Sequence, residues 1–190
     1  MSLDLTKGQR VELTKTHPGL KKIKIGLGWD VNPSGGKAFD LDSSVFMLDN
    51  NGKLLSSKDV VYFKNLQHES WSVIHSGDNL TGAGEGDDEV VTVEFDKIPS
   101  NISKLACVIN IYDAENRRQN FGMVNNAFAR VSDETGKELL KYELAEDYSI
   151  ETGVIICEIY RHNGEWKFSA LGQGIKGNLN DVSKGFGLNA

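Results

Sequence analysis

Long apolar runs are missing from this chain. No stretch approaches the ~20 residues needed to span a bilayer, and the opening MSLDLTKGQR lacks the basic and apolar regions of a secretion signal. The expectation is a cytoplasmic protein with no transmembrane segment. Cysteine is scarce: Cys107 and Cys157 each lie in an apolar alternating run outside any CxxC motif, which reads as two buried thiols and argues against a redox or zinc role. Only three prolines occur, none inside a strand candidate. The four histidines (His17, His68, His75, His162) are scattered without metal spacing or a nucleophile–base pairing and read as surface or turn residues. Lys and Arg number 21 against 27 Asp and Glu, a balance that disfavours a nucleic-acid surface and unaided attraction to anionic lipid.

Helical patterning is also sparse. Residues 114–120 (AENRRQN) can form a turn or two, and residues 178–184 a short C-terminal helix before Gly185. The dominant rhythm is β. Ile23, Ile25, Leu27 and Trp29 alternate with Lys24, Gly26 and Gly28, the period of a strand with one buried face. Further strand-like runs follow at 43–48, 60–63, 71–74, 91–95, 105–111, 127–131, 138–144, 154–160 and 166–171. Asn50-Asn51-Gly52, Glu134-Thr135-Gly136 and His162-Asn163-Gly164 place small polar residues and Gly where tight turns need positive φ. With 39% hydrophobic content in 190 residues and no linker-like segment, the chain reads as one domain, residues 1–190, an all-β two-sheet sandwich with one or two short helices. Trp29, Trp71 and Trp166 are read as core.

Against this frame one segment stands out. Residues 77–89, GDNLTGAGEGDDE, hold five carboxylates (Asp78, Glu85, Asp87, Asp88, Glu89) and four glycines, with no Lys or Arg. Such a run can be merely solvated. Like charges this close repel one another, however, and glycines let the backbone turn its carbonyls inward, so the segment offers hard oxygen donors suited to calcium. A second acidic patch lies upstream, where Asp30 ends one strand and Asp40 and Asp42 open the next. If these two strands pair antiparallel, Asp30, Asp40 and Asp42 share an edge. If the strands at 91–95 and 105–111 pair likewise, Asp87, Asp88, Glu89 and Asp113 share another, and a sandwich could gather both at one tip.

Other motif readings fail on chemistry. The DLDSS and GDDE segments lack the Gly-6 and Glu-12 spacing of an EF-hand, Gly26-x-Gly28 leads into Asp30 rather than a helix, and the glycine loop at 82–86 lacks the Lys-Ser or Lys-Thr of a phosphate loop. Arg117 and Arg118 follow Asp113 closely and read as solvated, or as an anion or partner contact near the tip.

The same residues resemble the TerD-type tellurite-resistance and general stress protein family, to which a slime-mould cyclic-AMP-binding protein is related. The resemblance runs through GLGWD at 26–30, FDLDSSVFML at 39–48, GDNLTGAGEGDDE at 77–89, YDAENRRQNFG at 112–122, NNAF at 125–128 and YRHNGEWKFSALGQG at 160–174. It weakens at 62–75, at 33–37 and in the last dozen residues, which puts a shared partner surface in doubt. The resemblance implies a bacterial calcium-binding β-sandwich with no established catalysis, whose implied partners are other stress-operon proteins and a membrane protein. Carried over residue by residue, the implied ligands are Asp30, Asp40, Asp42, Asp78, Asp87, Asp88 and Glu89, with Asp113, the amide oxygen of Asn79 and the backbone around Gly84 as further donors. Glu85 is a weaker candidate. Calcium takes about six to eight oxygens, so this many acids suit two adjacent ions.

Three functions fit such a chain. The first is a non-enzymatic, calcium-loaded stress protein presenting a rigid partner surface. The second is a calcium-dependent membrane-surface module, for which only Leu80 and Phe39 are apolar near the acids. The third is a metal-dependent hydrolase, which lacks a general base standing apart from the ligands.

Overall fold

In the computed structural model the described residues are 2–31, 37–82, 86–144 and 150–188. They form two six-stranded sheets packed face to face. The first runs β1 (Leu3–Asp4), β10 (Glu138–Glu143), β9 (Phe128–Asp133), β3 (Lys22–Gly28), β7 (Glu89–Glu94), β6 (Val73–His75). The second runs β2 (Arg10–Glu12), β12 (Glu165–Ile175), β11 (Gly153–His162), β8 (Lys104–Ile111), β4 (Leu41–Leu48), β5 (Val60–Val61). All neighbours are antiparallel except β1 and β10. The outermost strands, β1, β6, β2 and β5, have only two or three residues each, which leaves little open edge for another chain to pair with.

The two antiparallel pairings expected of the acidic hairpins, β3 with β4 and β7 with β8, do not occur. β3 lies in the first sheet, between β7 and β9, whereas β4 lies in the second, between β8 and β5. β7 and β8 are divided in the same way. Each supposed hairpin is therefore a crossing from one sheet to the other. Period-two alternation reports which face of a strand is buried and is silent about its neighbour.

Between the sheets lies the main core, with Ile23, Ile25, Leu27, Val91 and Val93 from the first and Leu41, Val45, Leu105, Ile109 and Ile159 from the second. A smaller cluster covers the outer face of the second sheet, where Val182 and Phe186 of the C-terminal helix α2 (Leu179–Gly185) and its exit pack over Phe46, Leu48, Ala106 and Val108. This is why SSVFML reads as an unbroken apolar run: both faces of β4 are covered. α2 opens with a capping box in which Asn178 accepts from Asn180 and Asp181 accepts from the Asn178 backbone. The helix at 114–120 shortens to α1 (Ala114–Arg117), ended by Arg118 in the left-handed conformation (φ 53°).

Asn163 (φ 53°) and Gly164 (φ 80°) make the two-residue turn between β11 and β12, as a twisted hairpin requires. Trp29 and Trp166 are core residues, but Trp71 is 59% exposed, with φ 60° on the loop before β6. No helix among the described residues is long and apolar enough to cross a membrane.

Candidate metal centre

The two acidic patches meet because β3 pairs with β7 in one sheet and β4 with β8 in the other. Leu27 lies opposite Glu89, and Asp42 opposite Asn110. The loops that follow β3 and precede β4 and β7 therefore emerge at the same end of the sandwich. Trp29 ties them together. Its indole N–H donates to Phe39 O (3.0 Å) and its backbone N–H to Asp88 Oδ2 (3.0 Å). Gly82 (φ 68°) passes so close that a Cβ there would lie 2.5 Å from the indole nitrogen.

Asp40, Asp42 and Asp78 offer ligand oxygens all within 4.8 Å of one another, the one such group of three among the described residues. Asp40 and Asp42 are buried and Asp78 is exposed. Asp40 Oδ2 accepts from Arg117 Nη2 (3.1 Å), while Oδ1 is buried without a hydrogen-bond partner. Asp42 Oδ2 accepts from Asn110 Nδ2 (3.3 Å), and Asn110 Oδ1 is likewise buried and unpartnered. Orphaned acceptors of this kind are costly inside a protein and mark a place where a cation fits.

The electrostatics agree. Loss of hydration, then the charges of Glu89, Asp40 and Asp78, push the Asp42 carboxyl up to about 8. Asp40 is raised by burial despite Arg117, and Asp78, although exposed, by partial loss of hydration and then by Glu89. Three acids that resist ionising together are a site short of positive charge. A cavity of about 520 Å3 opens beside them, with Asp113 also on its wall. Asp113 has φ 52° and accepts from Asn116 Nδ2 (2.6 Å).

The remaining acids sit elsewhere. Glu89 is fully buried behind the triad, where Oε2 accepts from both the N–H and the hydroxyl of Ser43 (2.7 Å each) and Oε1 from Asn79 N–H (3.3 Å). Asn79 Nδ2 donates to Asp88 Oδ1 (3.0 Å), and Asn79 Oδ1 accepts from the N–H groups of Thr81 and Gly82, so this side chain organises the loop. Asp87 turns outward onto the face of the first sheet, where Arg130 Nε on β9 donates to it (2.7 Å). A Cβ at Gly26 would fall 2.2 Å from that carboxyl carbon, and one at Gly28 would fall 2.4 Å from the Phe128 ring and 2.9 Å from Gly86 O. The glycines of GLGWD thus make room for the acidic loop to fold over the sheet. Asp30 is exposed, accepts from Asn126 Nδ2 (2.7 Å), and lines with Asp88 and Glu143 a second cavity of about 430 Å3. Gly84 and Glu85 lie outside the described residues.

Two histidines are not surface residues. His75, on β6, is buried at the site: Nδ1 accepts from Gly77 N–H (3.0 Å), and Nε2 faces Ser43 Oγ (2.9 Å) and Glu89 Oε2 (3.4 Å). In the neutral ring the proton is then on Nε2, so His75 donates to this network. His68 is buried in the loop before β6, between Asp59 Oδ1 (3.2 Å) and Ser70 Oγ (2.7 Å). Nothing in the local sequence marks either: His75 is held by Ser43 and Glu89 from other strands, and His68 by the fold of its own loop against Asp59. Phe39 is also buried in the core, so of the two apolar residues near the acids only Leu80 is exposed.

The TerD domain family matches residues 1–186. The chain is 57% identical to general stress protein 16U of Bacillus subtilis (strain 168), over 99% of this chain and 98% of the relative. It is 47% identical to the tellurium resistance protein TerD of Serratia marcescens, over the whole of both. Among solved structures, a homologue of the telluride resistance protein (TerD) from Streptomyces coelicolor A3(2) superposes with a TM-score of 0.71 at 22% identity, covering 87% of this chain and 96% of that one.

Proposed function

The chain belongs to the TerD family of tellurite-resistance and stress-response proteins, and from that premise we propose that it is a non-enzymatic calcium-binding protein whose ion fixes the acidic tip as a surface for a partner. The observation that carries this reading is the Asp40, Asp42, Asp78 group, with oxygens within 4.8 Å and Asp40 Oδ1 left without a partner. These three side chains would hold the ion, with Asp113 and Asn110 Oδ1 nearby as further oxygen donors. The ion would supply positive charge that offsets mutually repelling carboxylates. Because the unfolded chain has no such cluster, binding would appear as stability, about 2.7 kcal/mol when free calcium is roughly 100 times the dissociation constant.

Within the proposed ligand set the residues take different parts. Glu89 and Asn79 hold the loop, Asp87 anchors it to Arg130, and Asp30 and Asp88 border the second cavity, where a second ion would draw on them. The names of the relatives speak of stress and resistance and mention no reaction. The Ser43–His75 contact also runs against a serine nucleophile with His75 as its base, since a ring nitrogen that donates to Ser43 Oγ does not take its proton. Other stress-operon proteins remain the proposed partners, in the cytoplasm.

Calorimetry on chelator-stripped protein tests the reading. A saturable calcium isotherm, weakened at least about tenfold by Asp42→Asn and poorly matched by magnesium, is expected. No heat and no rise in Tm with calcium would overturn it, and the stoichiometry decides between one ion and two.

A further inference from the structure

The cavity beside the triad contains more than cation ligands. Its wall includes two basic side chains, Lys37 and Arg117, and an apolar set of Phe63, Leu80 and Tyr112. These groups are organised. The Phe63 and Tyr112 rings meet edge to face with centroids 6.0 Å apart, and the Arg117 guanidinium lies 5.2 Å from the Tyr112 ring centroid while one of its nitrogens reaches Asp40. Leu80 is 59% and Tyr112 43% exposed. Asp40 Oδ2 takes one donor of a guanidinium that carries five.

Charge decides when this wall can be used. Asp40, Asp42, Asp78 and Asp113 outnumber Arg117 and Lys37 two to one when all are ionised, and three to two while Asp42 keeps its proton, so an anion is repelled from the cation-free cavity. One divalent ion brings the six side chains to balance, and the ion and guanidinium then offer adjacent positive partners to an oxyanion with several oxygens. We propose that the cation-loaded cavity binds a phosphate monoester, its phosphate held jointly by the ion and Arg117 and its organic group lying on Tyr112 and Phe63. This rests on the cation site proposed above and extends it from an ion that shapes a surface to an ion that recruits a ligand. A free metabolite and a phosphatidic acid headgroup share this chemistry.

The test titrates phenyl phosphate, inorganic phosphate and benzoate into calcium-saturated protein and, in parallel, into protein in EGTA. Phenyl phosphate is expected to bind only the calcium-loaded chain, at least about tenfold tighter than benzoate, because a dianion gains more than a carboxylate from two positive partners. Arg117→Gln is expected to weaken it about tenfold or more at saturating calcium, and Arg117→Lys to recover part of that loss through charge without the fork. Tyr112→Leu should weaken phenyl phosphate and leave inorganic phosphate unchanged, which a general loss of folding would not do. Calcium-dependent pelleting with phosphatidic acid vesicles but not phosphatidylcholine vesicles would support the proposal with a lipid source. Binding of phenyl phosphate alone would support it with a soluble one. An intact calcium isotherm without phosphate binding, or equal binding in EGTA, overturns this inference and leaves the cation site standing. A missing calcium isotherm removes both.

Discussion

Glu89 on β7 accepts two hydrogen bonds from Ser43 on β4, one from the backbone N–H and one from the hydroxyl, each 2.7 Å. The two residues belong to different sheets, so this carboxylate latches the sandwich shut directly behind the triad. A buried charge that loses a donor bears the full cost of its desolvation. Ser43→Ala is therefore expected to destabilise the fold by about 2 kcal/mol in urea unfolding, without changing the m-value. A change below about 0.5 kcal/mol would show that Glu89 finds other partners.

Protons and cations compete for the triad. The Asp42 carboxyl is held at about 8 in the metal-free fold, against an ordinary 3.8. A group raised in this way stabilises the fold fully below pH ~4 and loses that contribution as pH rises to ~8, because the folded state then holds a proton the unfolded chain has released. Metal-free protein should thus melt at progressively lower temperature between pH 5 and 8, once the other titrating groups are accounted for with an Asp42→Asn control. Calcium should reverse the trend. Its apparent affinity should tighten with pH up to ~8, approaching tenfold per unit for one displaced proton, and level off above. Titrations in buffers of different ionisation enthalpy report that proton directly.

Gly26 and Gly28 face different obstacles. An added methyl at Gly26 meets the end of the Asp87 side chain, which can swing away from Arg130, whereas one at Gly28 meets the Phe128 ring and the Gly86 carbonyl. Gly28→Ala is expected to cost about 1–3 kcal/mol and Gly26→Ala less. The two differ in a second respect: Gly26→Ala displaces an ion-paired Asp87 and should weaken calcium binding more than its stability change alone suggests. Equilibrium denaturation with parallel calcium titration separates the two effects.

Cys107 and Cys157 lie directly opposite each other on β8 and β11, both buried. Their mutual hydrogen bond, followed by burial, holds the Cys157 thiol well above the usual range. Both should resist a thiol-specific reagent in the native protein and react fully in denaturant. Prompt native labelling would mean that this part of the second sheet opens far more readily than its packing indicates.

Much of this protein is legible in its sequence, because the signals are local. Alternation in KIKIGLGW marks β3, the Asn163-Gly164 pair marks the β11–β12 turn, and the density of Asp, Glu and Gly in residues 77–89 marks a loop rich in oxygen donors. The ends at which acids occur follow from strand boundaries alone. The sequence could not say which strands are neighbours, since the alternating face of β3 is equally well buried beside β4 or across from it. Only the tertiary structure put β3 and β4 in opposite sheets, which brings Asp40 and Asp42 to Asp78 while leaving Asp30 beside Asp88 in a second cavity and Asp87 paired with Arg130. It also decided the parts of His75, Arg117 and Arg130, whose roles depend on groups 14, 77 and 43 positions away in the chain. Composition fixes how many carboxylates are available to a cation. Which of them converge depends on desolvation and on the donors each one meets, and those exist only once the sheets have packed.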